Sequence, residues 1–171
     1  MRPVLLLSVT LPLLLGGCNQ IPSGLKYEIH GDAVTITGCD RDVSGELIIP
    51  AAIDGKPVTS IGIGAFFSCS SLTSITIPDS VTGIGKNAFR FCSSLTSITI
   101  PDSVTTIERF TFSGCTSLTS ITIPASVTSI GDYAFRGCTG LTSITIPNSV
   151  IIIGENAFEL CDHLESIVIP D

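Results

Sequence analysis

The 171-residue chain has no tryptophan, one methionine, two tyrosines and two histidines, and only 13% of its residues are charged. Each shortage excludes something. Histidine is the commonest general base, so a chain with only His30 and His163 has few candidates for acid–base catalysis. Eight Lys and Arg face fifteen Asp and Glu, a net charge of −7. That balance disfavours nucleic acid, which calls for a basic footprint. Low charge does not mean disorder here. The chain is 44% hydrophobic, enough for a core, and its length suits one domain.

What the chain does contain begins with an address. After Met1-Arg2 it runs apolar from Val4 to Leu15 and then reads Gly16-Gly17-Cys18. One positive charge, a short apolar run and small residues match a secretory signal peptide. The run falls short of the roughly 20 residues of a membrane span. Leu15-Gly16-Gly17-Cys18 resembles a bacterial lipobox. That resemblance implies cleavage after residue 17, diacylation of Cys18 and contact with the membrane through the lipid alone. Asn19 after the cysteine favours the outer membrane or cell surface of the bacterial envelope.

The rest of the chain repeats. Pro78, Pro101, Pro124, Pro147 and Pro170 are spaced by 23 residues, and so are Cys69, Cys92, Cys115, Cys138 and Cys161. Phe66, Phe89, Phe112, Phe135 and Phe158 keep the same period. One unit reads Leu95-Thr96-Ser97-Ile98-Thr99-Ile100-Pro101-Asp102-Ser103-Val104-Thr105-Thr106-Ile107, followed by a Gly-x-x-Ala-Phe-x-x-Cys-like segment. The alternating β-branched stretch suits a strand with Leu95, Ile98 and Ile100 inward. Pro101 ends it by removing a ladder donor. Gly85 and Gly131 allow a tight turn, and Ala-Phe-x-x-Cys fits one helical turn facing the core. A single unit cannot bury its apolar face, so neighbours must stack.

This pattern is similar to the BspA-type (Treponema-type) leucine-rich repeats. The resemblance implies an α/β-type repeat solenoid with short parallel strands and one-turn helices. About five 23-residue coils would occupy residues 47–171, preceded over 18–46 by a linker and an N-terminal β-hairpin cap. Tyr27–Gly38 supplies that hairpin, turning at Gly31-Asp32, and Asp54-Gly55 marks an inserted turn. The family resemblance also implies adhesin-like roles for some members.

The cysteine ladder lacks C-x-x-C metal spacing, and the parallel side chains of adjacent coils disfavour disulfides. Small buried hydrophobes fit best. Cys39 lies outside the ladder and its redox state stays open. The phenylalanines read as a core spine. Outward Thr-Ser-x-Thr ranks form a regular array that invites an ice-binding reading, which the curvature of this repeat type opposes.

Recognition is expected where the repeats disagree. The variable columns of the Gly-x-x-Ala-Phe-x-x-Cys segment place Lys86, Arg90, Arg109 and Arg136 on one ridge with Phe91, Phe110 and Tyr133. Arginine with aromatics is the composition of interface hot spots; an ordinary solvated ridge is the bland alternative. Val150-Ile151-Ile152-Ile153 puts Ile151 and Ile152 where other coils carry Thr105-Thr106 or Thr128-Ser129, a candidate self-association surface. No nucleophile, base or metal set recurs, so neither catalysis nor a cofactor is expected. The chain thus reads as a lipid-anchored surface module binding an external protein or glycan. A structural envelope lipoprotein without a dedicated ligand is the alternative.

Overall fold

The computed structural model describes residues 21–169, so the signal peptide expected over residues 1–17 and the lipid site expected at Cys18 lie outside the described residues. Strands β1 (Leu25–His30) and β2 (Ala33–Cys39) form an antiparallel hairpin closed at Gly31-Asp32. β3 (Gly45–Ile48), β4 (Ala52–Ile53) and β5 (Lys56–Ile61) follow. β4 and β5 pair around Asp54-Gly55, both at positive φ (50° and 74°), as a two-residue hairpin turn requires. β2 runs parallel to β5, so the hairpin covers the first edge of the array.

The repeats contribute β6 (Leu72–Thr76), β7 (Gly83–Ile84), β8 (Ser97–Ile98), β9 (Thr106–Ile107) and β10 (Ser129–Ile130). β11 (Ser143–Thr145), β12 (Ile152–Ile153) and β13 (Ser166–Val168) complete the set. One parallel face is built from β3, β6 and β8, the Thr99–Thr122 bridge, and β11 with β13. The second runs through β5 and β7, then β9, β10 and β12. Facing residues within the repeat ladders are 23 apart, as in Ile75 opposite Ile98 and Ser129 opposite Ile152. On the first face Pro78, Pro101, Pro124 and Pro147 each follow the strand segment, and the carbonyl of each accepts from the valine three residues on, for example Val104 N–H to Pro101 at 3.0 Å.

The helical turn expected at Ala-Phe-x-x-Cys is absent: the described residues contain no helix. Successive N–H groups alternate between two destinations. Ala65 donates to Gly62 and Phe67 to Gly64 within the coil, whereas Gly64, Phe66 and Ser68 donate to Lys86, Ala88 and Arg90 of the next coil. An i→i−4 ladder therefore never forms. The switch between destinations needs two left-handed residues per segment, and two columns supply them: Gly64, Asn87, Phe110, Tyr133 and Asn156, then Ser68, Phe91, Gly114, Gly137 and Leu160.

The glycine expected to free a turn serves clearance instead. Gly85 and Gly131 are not at positive φ, but a Cβ on Gly131 would lie 2.7 Å from the Arg109 nitrogen of the preceding coil. Phe66, Phe89, Phe112 and Phe135 are fully buried, and together with Phe158 they stack with centroids 5.3–5.5 Å apart. Beside them each free ladder thiol donates to the phenylalanine carbonyl 26 residues earlier, Cys92 to Phe66 at 3.0 Å and Cys115 to Phe89 at 3.1 Å. Cys69 departs from the other ladder residues, because its sulfur is paired with that of Cys39 from β2. The cap and the first coil are thereby joined through side chains. The threonine ranks also have internal work: Thr96 Oγ1 donates to Thr73 O at 3.1 Å, and Thr119 repeats the bond to Thr96.

Two consequences follow from the spine and its thiols. Phe112→Ala should lower stability by about 3–5 kcal/mol by opening a cavity between two rings, measured by urea unfolding. Burial pushes the Cys92 thiol from its ordinary value of 9.0 up to about 12, and raises Cys115 and Cys138 in the same way. Above about pH 9 the unfolded chain releases these protons while the folded chain keeps them. Stability should therefore be level below pH 8 and fall from pH 9 towards 12, by about 1.4 kcal/mol per pH unit for each thiol. A Cys115→Ala variant should show a shallower fall.

Candidate functional site

The turn segments form a third side of each coil, and the aromatic residues of the ridge sit at its left-handed positions. Phe91, Phe110 and Tyr133 have φ of 63°, 58° and 56°. Bulky side chains are rare there because Cβ crowds the backbone, at a cost of roughly 1–2 kcal/mol per residue. Glycine or asparagine occupies most other positions of these columns, at Gly64, Asn87, Asn156, Gly114 and Gly137, with Ser68 and Leu160 at the remaining two.

The rings lie in one continuous stack with two guanidinium groups. Phe110 and Tyr133 stack at 4.9 Å with planes 14° apart. The Arg90 guanidinium carbon lies 4.7 Å from the Phe91 centroid and 4.4 Å from that of Phe110, and Arg109 lies 4.8 Å from Phe110 and 5.8 Å from Tyr133. All four distances fall within cation–π range. Phe67 meets Phe91 edge-on at 5.7 Å, Asn87 Oδ1 accepts from Arg90 at 3.3 Å, and Asn156 donates to the Tyr133 hydroxyl at 3.2 Å. Among the described residues neither Arg90 nor Arg109 has a carboxylate partner, although the chain is acidic overall.

Five of the seven ridge residues read from the columns, Arg90, Phe91, Arg109, Phe110 and Tyr133, are thus in mutual contact. The remaining two flank them. Arg136 pairs with Glu159 at 2.6 Å. Lys86 lines a separate apolar groove with Ile61, Ile63, Ile84 and Glu108. Phe67, Asn87, Asn156 and Glu108 were not among the residues expected at the ridge. Glu108 and Thr111 stand where other coils have glycine and alanine, so a column comparison restricted to the glycine and alanine positions would have marked this coil. Thr111 is buried and satisfies its hydroxyl on Glu108 O at 2.7 Å.

His30 faces Glu28 in the cap hairpin, and His163 meets the Thr139 carbonyl in the last described coil. Among the described residues no three His, Cys, Asp or Glu side chains gather as a metal-binding group. Ile151 and Ile152 are 81% and 59% exposed, so they stand out to solvent where the preceding coils present threonine and serine.

Solved structures of bacterial proteins share this architecture. A leucine-rich repeat protein from Bacteroides ovatus is 37% identical with a TM-score of 0.80, over 89% of this chain and 41% of that one. A T. pallidum leucine-rich repeat protein is 35% identical with a TM-score of 0.81, over 87% of this chain and 71% of that one. A leucine-rich cell surface protein from Faecalibacterium prausnitzii is 30% identical with a TM-score of 0.54, over 85% of this chain and 53% of that one. The chain therefore spans less than half of the Bacteroides protein. No curated protein matches it. The BspA-type leucine-rich repeat region matches residues 58–171 in six copies, where about five coils were expected from the spacing. On that match and these identities, the chain belongs to the BspA-type leucine-rich repeat family.

Proposed function

We propose that the chain is a bacterial surface interaction module that binds an external protein or glycan through the Arg90–Tyr133 ridge, without chemistry. The single observation that carries this reading is the cost of the ridge. Phe91, Phe110 and Tyr133 occupy left-handed positions that glycine or asparagine fills more easily, yet they are half-buried or exposed and contribute little to the core. Backbone strain of this kind concentrates at functional sites. Arg90 and Arg109, held between rings, lose little freedom when a ligand arrives, so binding costs less ordering entropy.

The surface location draws on the family and on the Faecalibacterium relative, which is described as a cell surface protein. Cys18, by its resemblance to a lipobox cysteine, would supply the anchor, with no part for the coils in membrane contact. Exposed Ile151 and Ile152 would give a second copy of the chain an apolar contact.

Capture of a partner from host or neighbouring-cell surface extracts should fall at least tenfold for an Arg109→Glu, Tyr133→Ala double variant with unchanged melting. Equal capture would remove the ridge from the account. Intact cells should label with a membrane-impermeant reagent; full protection would favour the structural envelope lipoprotein instead. Sedimentation should show concentration-dependent association that Ile151→Thr, Ile152→Thr abolishes, and a strict monomer would dismiss that contact.

A further inference from the structure

A shallow groove of about 600 Å³ borders the Phe91 end of the ridge, lined by Ser70, Phe91, Ser93, Gly114, Thr116 and Arg136 among others. Its size is that of small-ligand sites. The floor is glycine. Phe91 lies across Gly114 so closely that a Cβ there would meet the ring Cδ1 at 2.4 Å. Gly137, the next residue in that column, has open space above it: a Cβ there would meet only the Gly114 backbone, at 3.9 Å. With no side chain at Gly114 or Gly137, the groove stays open beside Phe91.

The walls specify what fits. Ser70 and Ser93 line the groove, and of its lining residues only Arg136 is charged. Its Nε donates to Glu159, which partly offsets its charge and leaves the outer N–H groups for other acceptors. A guanidinium already paired with a carboxylate offers an acidic ligand less than a free one, and a basic ligand finds no free carboxylate. The lining residues lie in turns outside the strands, so an extended peptide has no ladder edge to join. A pyranose ring matches each element: its apolar C–H face packs against an aromatic ring, and its hydroxyl rim meets serines and guanidinium N–H groups. We propose that this groove, resting on the reading of the ridge as a binding surface, takes a neutral hexopyranose unit of a glycan.

The test uses the folded chain from Cys18 onward, without lipid, and amide chemical-shift titration with maltohexaose, cellohexaose and mannohexaose. Trigalacturonate and a poly-glutamate peptide serve as the acidic probes. At least one neutral hexaose should saturate, with shifts centred on Ser70, Ser93, Gly114 and Gly137. Phe91→Gly should weaken it at least tenfold while keeping or raising the melting temperature, because glycine suits a φ of 63°. Ser70→Trp, which leaves Phe91 in place and fills the groove, should weaken it similarly. No saturable shifts with any neutral hexaose would overturn the proposal, as would binding that Phe91→Gly leaves intact. Binding of the acidic probes alone, lost in Arg109→Glu, Tyr133→Ala, would overturn it too but would leave the ridge as the interaction surface.

Discussion

Backbone hydrogen bonds between coils hold every turn segment to the next: Phe66 to Ala88, Phe89 to Thr111, Phe112 to Ala134 and Phe135 to Ala157. All the N–H groups in this series are buried, and an unmatched buried donor costs about 1–3 kcal/mol. A coil with one residue more or fewer would strand several at once. Coil length is therefore held at 23, and equal lengths bring equivalent side chains into columns. The phenylalanine stack, the thiol column, the glycine clearance and the threonine hydroxyl bonds all depend on this register. Proline enters the same scheme from the corner, because its carbonyl closes the turn to Val81, Val104, Val127 and Val150.

Much of this was legible in the residues. Leu95, Ile98 and Ile100 point inward as their alternation requires, and Asp54-Gly55 makes the turn that its two residues favour. What escaped was the conformation of the third side. Ala-Phe-x-x-Cys has helical apolar spacing, but spacing does not reveal that alternate N–H groups leave the coil. The signal was present in another form, as Gly64, Asn87 and Asn156 in one column and Gly114 and Gly137 in the next, residue types that tolerate left-handed backbone. The glycines at 85 and 131 were misread for the opposite reason. They look like turn residues, yet they are needed because the preceding coil leaves no room for a Cβ. The pairing of Cys69 with Cys39 brings together a ladder residue and a cap residue 30 positions apart, outside the 23-residue period.

Core and ridge obey opposite rules. In the core most columns repeat one residue type, since stacked copies of one shape fill space without gaps. On the ridge the columns change from coil to coil. Arg90 and Arg109 touch rings on adjacent coils, so the stack crosses the columns diagonally. A diagonal contact has one place along the solenoid, which turns a periodic scaffold into an addressable surface.

The alternating hydrogen bonds of the turn segments also have a mechanical meaning. Each coil is sewn to its neighbours along its whole perimeter, on both strand faces and through the third side. Tension along the chain meets these bonds one coil at a time, as a zipper meets its teeth. Every coil that opens releases 23 residues, about 80 Å of contour at full extension. The neighbouring coil keeps its own bonds until its turn comes. A solenoid built this way yields in steps under load, lengthening while the coils still folded keep their shape.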